Sequence, residues 1–229
     1  MFLTDKFMSE AREDAVRYWK DYSSDNLYEV VKNHISRGNK KLGKDIIIFN
    51  SGTAHDCPSV KLGYCQAGKA CYALKTEKQY TSSYPYRCRQ ALLWKYISAE
   101  DFAMSIVKYR NQSRSEITSF RYNEAGDFES QQHVNWFTYV CKILSKYGIA
   151  CYGYTARADL NINILAKYSQ VNVSNDKFNT KVNINRFKMM VELSNDIEHT
   201  CKCSNGTASS CSECNLCKEH SGIIQVLKH

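Results

Sequence analysis

The sequence predicts an α/β protein, either a partial TIM-like barrel or an open parallel sheet. N-terminal helices precede it and a C-terminal cysteine-rich metal knuckle follows. Three observations point there. Short β-branched or aromatic runs alternate with helical patterns at intervals of about 25 to 50 residues, the grammar of right-handed β-α units around a parallel sheet. Those units are too few to close an eight-stranded barrel. The eleven cysteines are clustered, three between 57 and 71 and five between 201 and 217.

Taken in order, Ala15, Val16 and Trp19 make one apolar helical stripe, and Leu27, Val30, Val31 and His34 another, with Ser24 or Asp25 as the expected cap. Gly38 and Gly43 bracket a basic turn. Asp45 to Phe49 is a continuous β-branched run, which predicts a strand covered on both faces. The stretch 57–72 reads as a loop, and helical spacing returns from Ser82 to Lys108. Glu116 to Tyr122 reads as a second strand, Asn135 to Tyr147 as an amphipathic helix, and Gly148 to Thr155 as a third strand. Asp159 to Tyr168 reads as a short helix, Gln170 to Ser174 as a fourth strand, and Gly222 to Leu227 as a last one. Asn175 to Asn185 is polar and reads as an exposed loop or hairpin. The expected division is 1–43 for the N-terminal helices, 44–199 for the α/β core and 200–229 for the cysteine-rich segment.

Composition narrows the function classes. With 43% hydrophobic residues the 229-residue chain can bury a core, so wholesale disorder is excluded. No run approaches the roughly 18 apolar residues of a membrane span. The opening MFLTDKFMSEARED has acids where a signal peptide has its apolar stretch, which predicts a cytoplasmic protein with no membrane partner. A net charge of +8 favours nucleic acid or another polyanion as partner.

An odd cysteine count in a chain this long, without a secretion signal, argues for thiolate–metal chemistry over disulfides. Cys57, Cys65 and Cys71 lie on one loop, at intervals unlike those of a zinc ribbon. Three ligands hold three corners of an iron–sulfur cubane, or three positions on zinc, and leave one position open. The second group is Cys201, Cys203, Cys211, Cys214 and Cys217, with His229 late in the chain. Its C-x-x-C-x-x-C run resembles the ligands of a ferredoxin-type cluster, with zinc as the alternative. Cys141 and Cys151 sit in apolar elements and read as core residues.

In such folds chemistry gathers at the carboxyl ends of the strands. The strand ends carry Asn50 and Ser51, then Glu124 and Asp127, then Tyr154, Thr155, Arg157 and Asp159, then Ser174, Asn175 and Asp176. Asp127, Glu124, Tyr154 and Arg157 are therefore the candidate catalytic residues, and Asn50, Ser51 and Thr155 the candidate cofactor-binding ones.

Cys57-Pro58, Cys65, Cys71-Tyr72-Ala73, Arg121, Gly126-Asp127-Phe128, Tyr152-x-Tyr154-Thr155 and Cys211-x-x-Cys214-x-x-Cys217 with His229 together resemble the phage and plasmid "gene product 88" family. The resemblance covers residues 46 to 229. It implies a phage or mobile-element origin, the cytoplasm of an infected host, and a cysteine-bound metal. The Cys-Tyr-Ala element also looks like that of phage proteins related to radical SAM enzymes. In those, three cysteines hold a [4Fe–4S] cluster with one iron free for S-adenosylmethionine. The spacing in this chain departs from the C-x-x-x-C-x-x-C loop of that group.

The expected function is that of an iron–sulfur enzyme acting on nucleic acid or a nucleotide, with one or two [4Fe–4S] clusters. A second expectation is a deazaguanine-type DNA base-exchange transglycosylase. There Asp127 would be the nucleophile and zinc would be held by Cys211, Cys214, Cys217 and His229. A third is a non-catalytic, metal-stapled phage protein that binds nucleic acid or a host protein, a role its sixteen tyrosines suit.

Overall fold

A computed structural model describes residues 3–38, 42–65, 67, 71–174, 183–190, 200–202, 208, 211–219 and 222–227. Seven strands form one sheet in chain order: β1 (Ser36–Arg37), β2 (Ile46–Phe49), β3 (Ser119–Tyr122), β4 (Ala150–Thr155), β5 (Gln170–Val173), β6 (Ile184–Met190) and β7 (Ile223–Leu227). β1 runs antiparallel to β2, and every later neighbour is parallel. β1 and β7 are the two edges, so of the two expected architectures the chain forms the open sheet.

A parallel sheet built in chain order steps the same way at each crossover. Right-handed connections then carry the long crossover helices between β2 and β4 to one face. The helices are α1 (Asp5–Lys20), α2 (Leu27–His34), α3 (Pro58–Lys61), α4 (Tyr72–Gln79), α5 (Ser83–Tyr96), α6 (Ala99–Gln112), α7 (Gln131–Lys146), α8 (Cys211–Cys214) and α9 (Leu216–Glu219). The main core lies between the sheet and α2, α5, α6 and α7. Ile47, Phe49, Phe120, Tyr122, Val171 and Val173 meet Leu93, Phe102, Ile106, Phe137 and Leu144 there. Phe49, Phe102, Phe120 and Phe137 are fully buried, each stabilising the fold by about 1.5–3 kcal/mol. α1 packs on α5 through Ala11, Ala15, Tyr84 and Cys88.

The opposite face of the sheet is thinner and more polar. Ile46, Ile48 and Tyr152 pack there with Leu42, and Cys211 and Cys217 lie against them. Strand register sets Ile48, Arg121, Tyr152 and Gln170 in one row across this face, and Tyr154, Asn172 and Asn185 in the next.

Several boundaries differ from the sequence reading. Ser23 caps a 3-10 turn at Ser24–Asn26, and α2 begins only at Leu27, with no side-chain cap at Asn26. The single helical stretch expected over 82–108 is two helices broken at Ile97 and Ser98; the Ser98 hydroxyl accepts from Asp101 N and starts α6. α7 begins earlier than expected because Ser130 caps it. The helix expected over 159–168 is a 3-10 turn at Leu165–Lys167. Within the loop expected over 57–72 lies α3, begun by Pro58, whose fixed φ suits a first helical position. β6 was not expected. Of the polar stretch 175–185, residues 175–182 lie outside the described residues, and Ile184 and Asn185 belong to that strand.

Candidate functional site

One cavity of about 160 Å3 lies at the carboxyl ends of β2, β3, β4 and β5. Cys57, Cys65 and Cys71 line it from the loop after β2, Glu124 and Asp127 from that after β3, Tyr154 and Thr155 from the end of β4, and Ser174 from the end of β5. Four strand ends thus open onto one mouth, as parallel α/β sheets favour.

Asp127 is the hinge pin of this mouth. Its Oδ1 accepts from Thr155 Oγ1 at 2.7 Å and from its neighbour Phe128 N at 2.8 Å. Its Oδ2 accepts from Ala156 N at 2.8 Å and from Ser59 Oγ. The carboxylate therefore ties α3, the β3 loop and the end of β4 together. Burial pushes its pKa up, against the pull of those four hydrogen bonds. Beside it Gly126 has φ +72°, and a Cβ there would lie 2.7 Å from Gly52 N. Only glycine lets the loops after β2 and β3 touch through their backbones.

The cysteine loop is anchored from beneath by Glu77 of α4, whose side chain is fully buried. Its carboxylate accepts from Ala54 N (2.8 Å), His55 N (3.3 Å) and Arg87 Nη1 (2.8 Å), and stands 2.8 Å from His55 Nδ1. Asp56, on the same loop, holds a paired contact with Arg12 of α1 and accepts from Tyr84. Burial of Asp56 opposes its charge, but Arg12, Tyr84 and Lys61 outweigh it and hold the carboxyl well below the usual carboxylate range. Cys57 and Cys71 stand at the N-termini of α3 and α4. Burial, and then the nearby Asp127, push the Cys57 thiol up to about 12.

The remaining candidates divide. Glu124 stays partly exposed, with Oε1 3.9 Å from Arg121 Nη1, and Arg121 lies 5.0 Å over the Tyr154 ring. Arg157 is not in the cavity wall. Its Nε and Nη2 hold Asp159 at 2.8 and 2.6 Å and its Nη1 reaches the carbonyls of Phe128 and Glu129, which makes it a clamp between two loops. Asn50 and Ser51 sit beneath the mouth: Asn50 Oδ1 accepts from Ala125 N at 2.8 Å, and Ser51 donates to Asn123. Thr155 alone of the three expected cofactor-binding residues lines the cavity.

Cys201, Cys211, Cys214 and Cys217 line a second, much smaller cavity of about 20 Å3 on the polar face of the sheet, with Arg121, Tyr152, Tyr154 and Lys218. The segment is held by amides: Asn172 Nδ2 donates to Cys217 O at 3.0 Å, and Asn185 Nδ2 to Asn172 Oδ1 at 2.9 Å and to Leu216 O at 3.3 Å. Cys203 and His229 lie outside the described residues. Ten cysteines are described and none is in a disulfide. As placed, no three Cys, His, Asp or Glu side chains among the described residues stand at the spacing of a metal shell.

Sequence reasoning missed Glu77, Ser59, Asn172 and Asn185. A carboxylate between lysines in a helical stretch reads as solvated, and strand asparagines read as turn formers. Only Ser59, two positions after Cys57, carried a signal by adjacency.

Residues 32–180 match the family model described as gene product 88, and the chain belongs to that family. No curated protein and no solved structure matches the chain. Among the described residues no helix is long and apolar enough to cross a membrane.

Proposed function

We propose that this member of the gene product 88 family is an iron–sulfur enzyme whose mouth, at the carboxyl ends of β2 to β5, acts on nucleic acid or a nucleotide. The observation that carries the reading is the convergence of Cys57, Cys65 and Cys71 on one cavity with Glu124, Tyr154 and Thr155. The donor set fits a cluster in kind: three thiols from one loop, beside a space of about 160 Å3. Their spacing as placed is wider than a metal shell, so the reading requires the loop to draw the sulfurs together. A bound [4Fe–4S] cluster, held by these three thiolates, would leave its fourth iron open to a small molecule such as S-adenosylmethionine.

The chain's own residues have distinct parts in this reading. Glu124, partly exposed and paired only loosely with Arg121, is the carboxylate able to exchange a proton with substrate. Asp127 is a positioning residue, because four protein donors already occupy its oxygens. That occupancy also weighs against the base-exchange reading, which needs a carboxylate oxygen able to attack. Beside the mouth Tyr72, whose hydroxyl donates to Glu124 O, is half exposed, a stacking ring of the kind that holds single-stranded nucleic acid.

Iron and sulfide analysis of anaerobically purified and reconstituted protein tests the proposal. The expected result is about four irons and four sulfides per chain at the mouth, with thiolate-to-iron absorbance, lost when Cys57, Cys65 and Cys71 are replaced by alanine. Absence of iron after reconstitution, or iron retained in the triple variant, overturns it.

A further inference from the structure

We propose that Cys201, Cys211, Cys214 and Cys217 form a closed, four-thiolate site for a single zinc ion, separate from the mouth. The four line one cavity of about 20 Å3. A space that size exceeds only slightly the roughly 10–15 Å3 that a single water-sized occupant needs. It takes one ion, and the eight atoms of a cubane do not fit. The mouth cavity, at about 160 Å3, is of another order. Size therefore assigns different metals to the two cysteine groups.

Local geometry brings the four cysteines to one cavity, though as placed they stand wider than a metal shell, so the ion would draw them together. Cys211 and Cys214 are three apart on the single turn of α8, which sets them on one face. Asn215 then takes a left-handed conformation (φ 51°), and its N–H donates to Cys211 O at 3.0 Å. That reversal brings Cys217 back over the sheet, where its carbonyl is fixed by Asn172. Cys201 comes from a separate segment, its N–H donating to Gln225 O at 2.8 Å beside β7. Two chain segments thus contribute to one site, and zinc–sulfur bonds near 2.3 Å would staple them.

Charge supports the same occupant. Zinc with four thiolates carries a net charge of −2, and the cavity wall holds two cations, Arg121 and Lys218. Arg121 is buried, and its Nε has no acceptor among the described residues. A thiolate sulfur would give that donor a partner, whereas a neutral thiol accepts weakly. The four cysteines are partly buried, and four thiolates would fill a tetrahedral zinc shell and leave no coordination position for substrate.

The test uses the full chain, with zinc counted by native mass spectrometry and cobalt(II) as a spectroscopic replacement. The expected result is about one zinc per chain and a tetrahedral thiolate–cobalt spectrum. Cys211→Ser and Cys214→Ser should lose both signals, and Cys57→Ser and Cys65→Ser should keep them. Zinc retained in the first pair, zinc lost only in the second, or an octahedral cobalt spectrum in the unmodified protein overturns the proposal. The cobalt spectrum needs no variant, so misfolding of a serine variant does not obscure the answer. Iron content at the mouth is read separately, and its failure leaves the zinc result standing.

Discussion

Thr155 Oγ1 donates to Asp127 Oδ1 at 2.7 Å, joining the end of one central strand to the loop that leaves its neighbour. With Ser59 and Ala156 on the other oxygen, Asp127 holds three walls of the mouth in register. A residue with such a place should reveal itself in stability as well as in function.

Asp127→Asn puts an amide NH2 where every neighbour is already a donor, so at least one buried hydrogen bond is lost and one donor pair is opposed. The expected cost is about 1–3 kcal/mol. At about 2–4 °C per kcal/mol for a chain of this size, melting should shift visibly. Chemical and thermal unfolding measure it. Unchanged stability with lost function would instead mark Asp127 as a reacting group.

Gly126→Ala should be at least as severe. The new Cβ would meet Gly52 backbone at 2.7 Å, and φ +72° is strained for alanine. Nothing flexible can move aside, because the obstacle is main chain. The loss should be above about 2 kcal/mol and should be read in the same unfolding experiments. Wild-type stability in this variant would mean that the loops after β2 and β3 are further apart than described.

Much of this was legible. Ile46 to Phe49 reads as a strand covered on both faces, and all four residues are buried. Strand-end polarity marks the mouth because parallel sheets leave only the carboxyl ends open for chemistry. β6 escaped because Ile184–Met190 interrupts its apolar residues with Asn185, Arg186 and Lys188, and no turn signal brackets it. Glu77 escaped for a different reason. Its burial is set by Arg87 in another helix and by the backbone of the cysteine loop, contacts that no local pattern contains. Arg157, at a strand end, looked like a substrate contact, yet a carboxylate two residues on and two carbonyls take up its donors.

Glu77→Gln should loosen the cysteine loop. It leaves Arg87 buried without its counter-charge, a loss on the order of 3–5 kcal/mol for a broken buried pair. The amide also has only one oxygen for the donors that Glu77 now satisfies. Alkylation of Cys57 and Cys65, followed by mass spectrometry under native conditions, should therefore accelerate in the variant. Equal rates in both proteins would show that the loop is held by something other than Glu77.

Acid should weaken the fold through buried histidine before it reaches the carboxylates. Burial, with Lys95 adding, lowers the His133 pKa to about 3, and burial lowers that of His34. Both are harder to protonate when folded, while in the unfolded chain they take a proton near pH 6.5. The unfolded state then binds more protons, so stability is full above about pH 6.5 and falls as pH drops toward the folded values, at up to about 1.4 kcal/mol per pH unit per group. Unfolding free energies between pH 7 and about pH 5 should show that slope, and His133→Phe should reduce it by about one proton. An unchanged slope in the variant would place His133 in contact with water.

The cysteine-rich end gives the last expectation, because the proposed zinc ion would share the holding of it with the sheet's amides. Residues 201–220 have little apolar surface to offset an ordering cost of roughly 1–2 kcal/mol per residue. Coordination can contribute on the order of 10 kcal/mol. The amides of Asn172 and Asn185, by contrast, contribute about 1 kcal/mol for each hydrogen bond to Cys217 O and Leu216 O. Chelation should therefore expose the segment to protease while the sheet and its helices stay intact. Asn172→Ala with Asn185→Ala should leave the metal-loaded knuckle folded on itself yet undocked, so that cleavage appears at its flanks and not between Cys211 and Cys217. Limited proteolysis of the four combinations separates the two contributions. Cleavage inside the knuckle of the metal-loaded asparagine variant would show that docking, and not coordination, holds it.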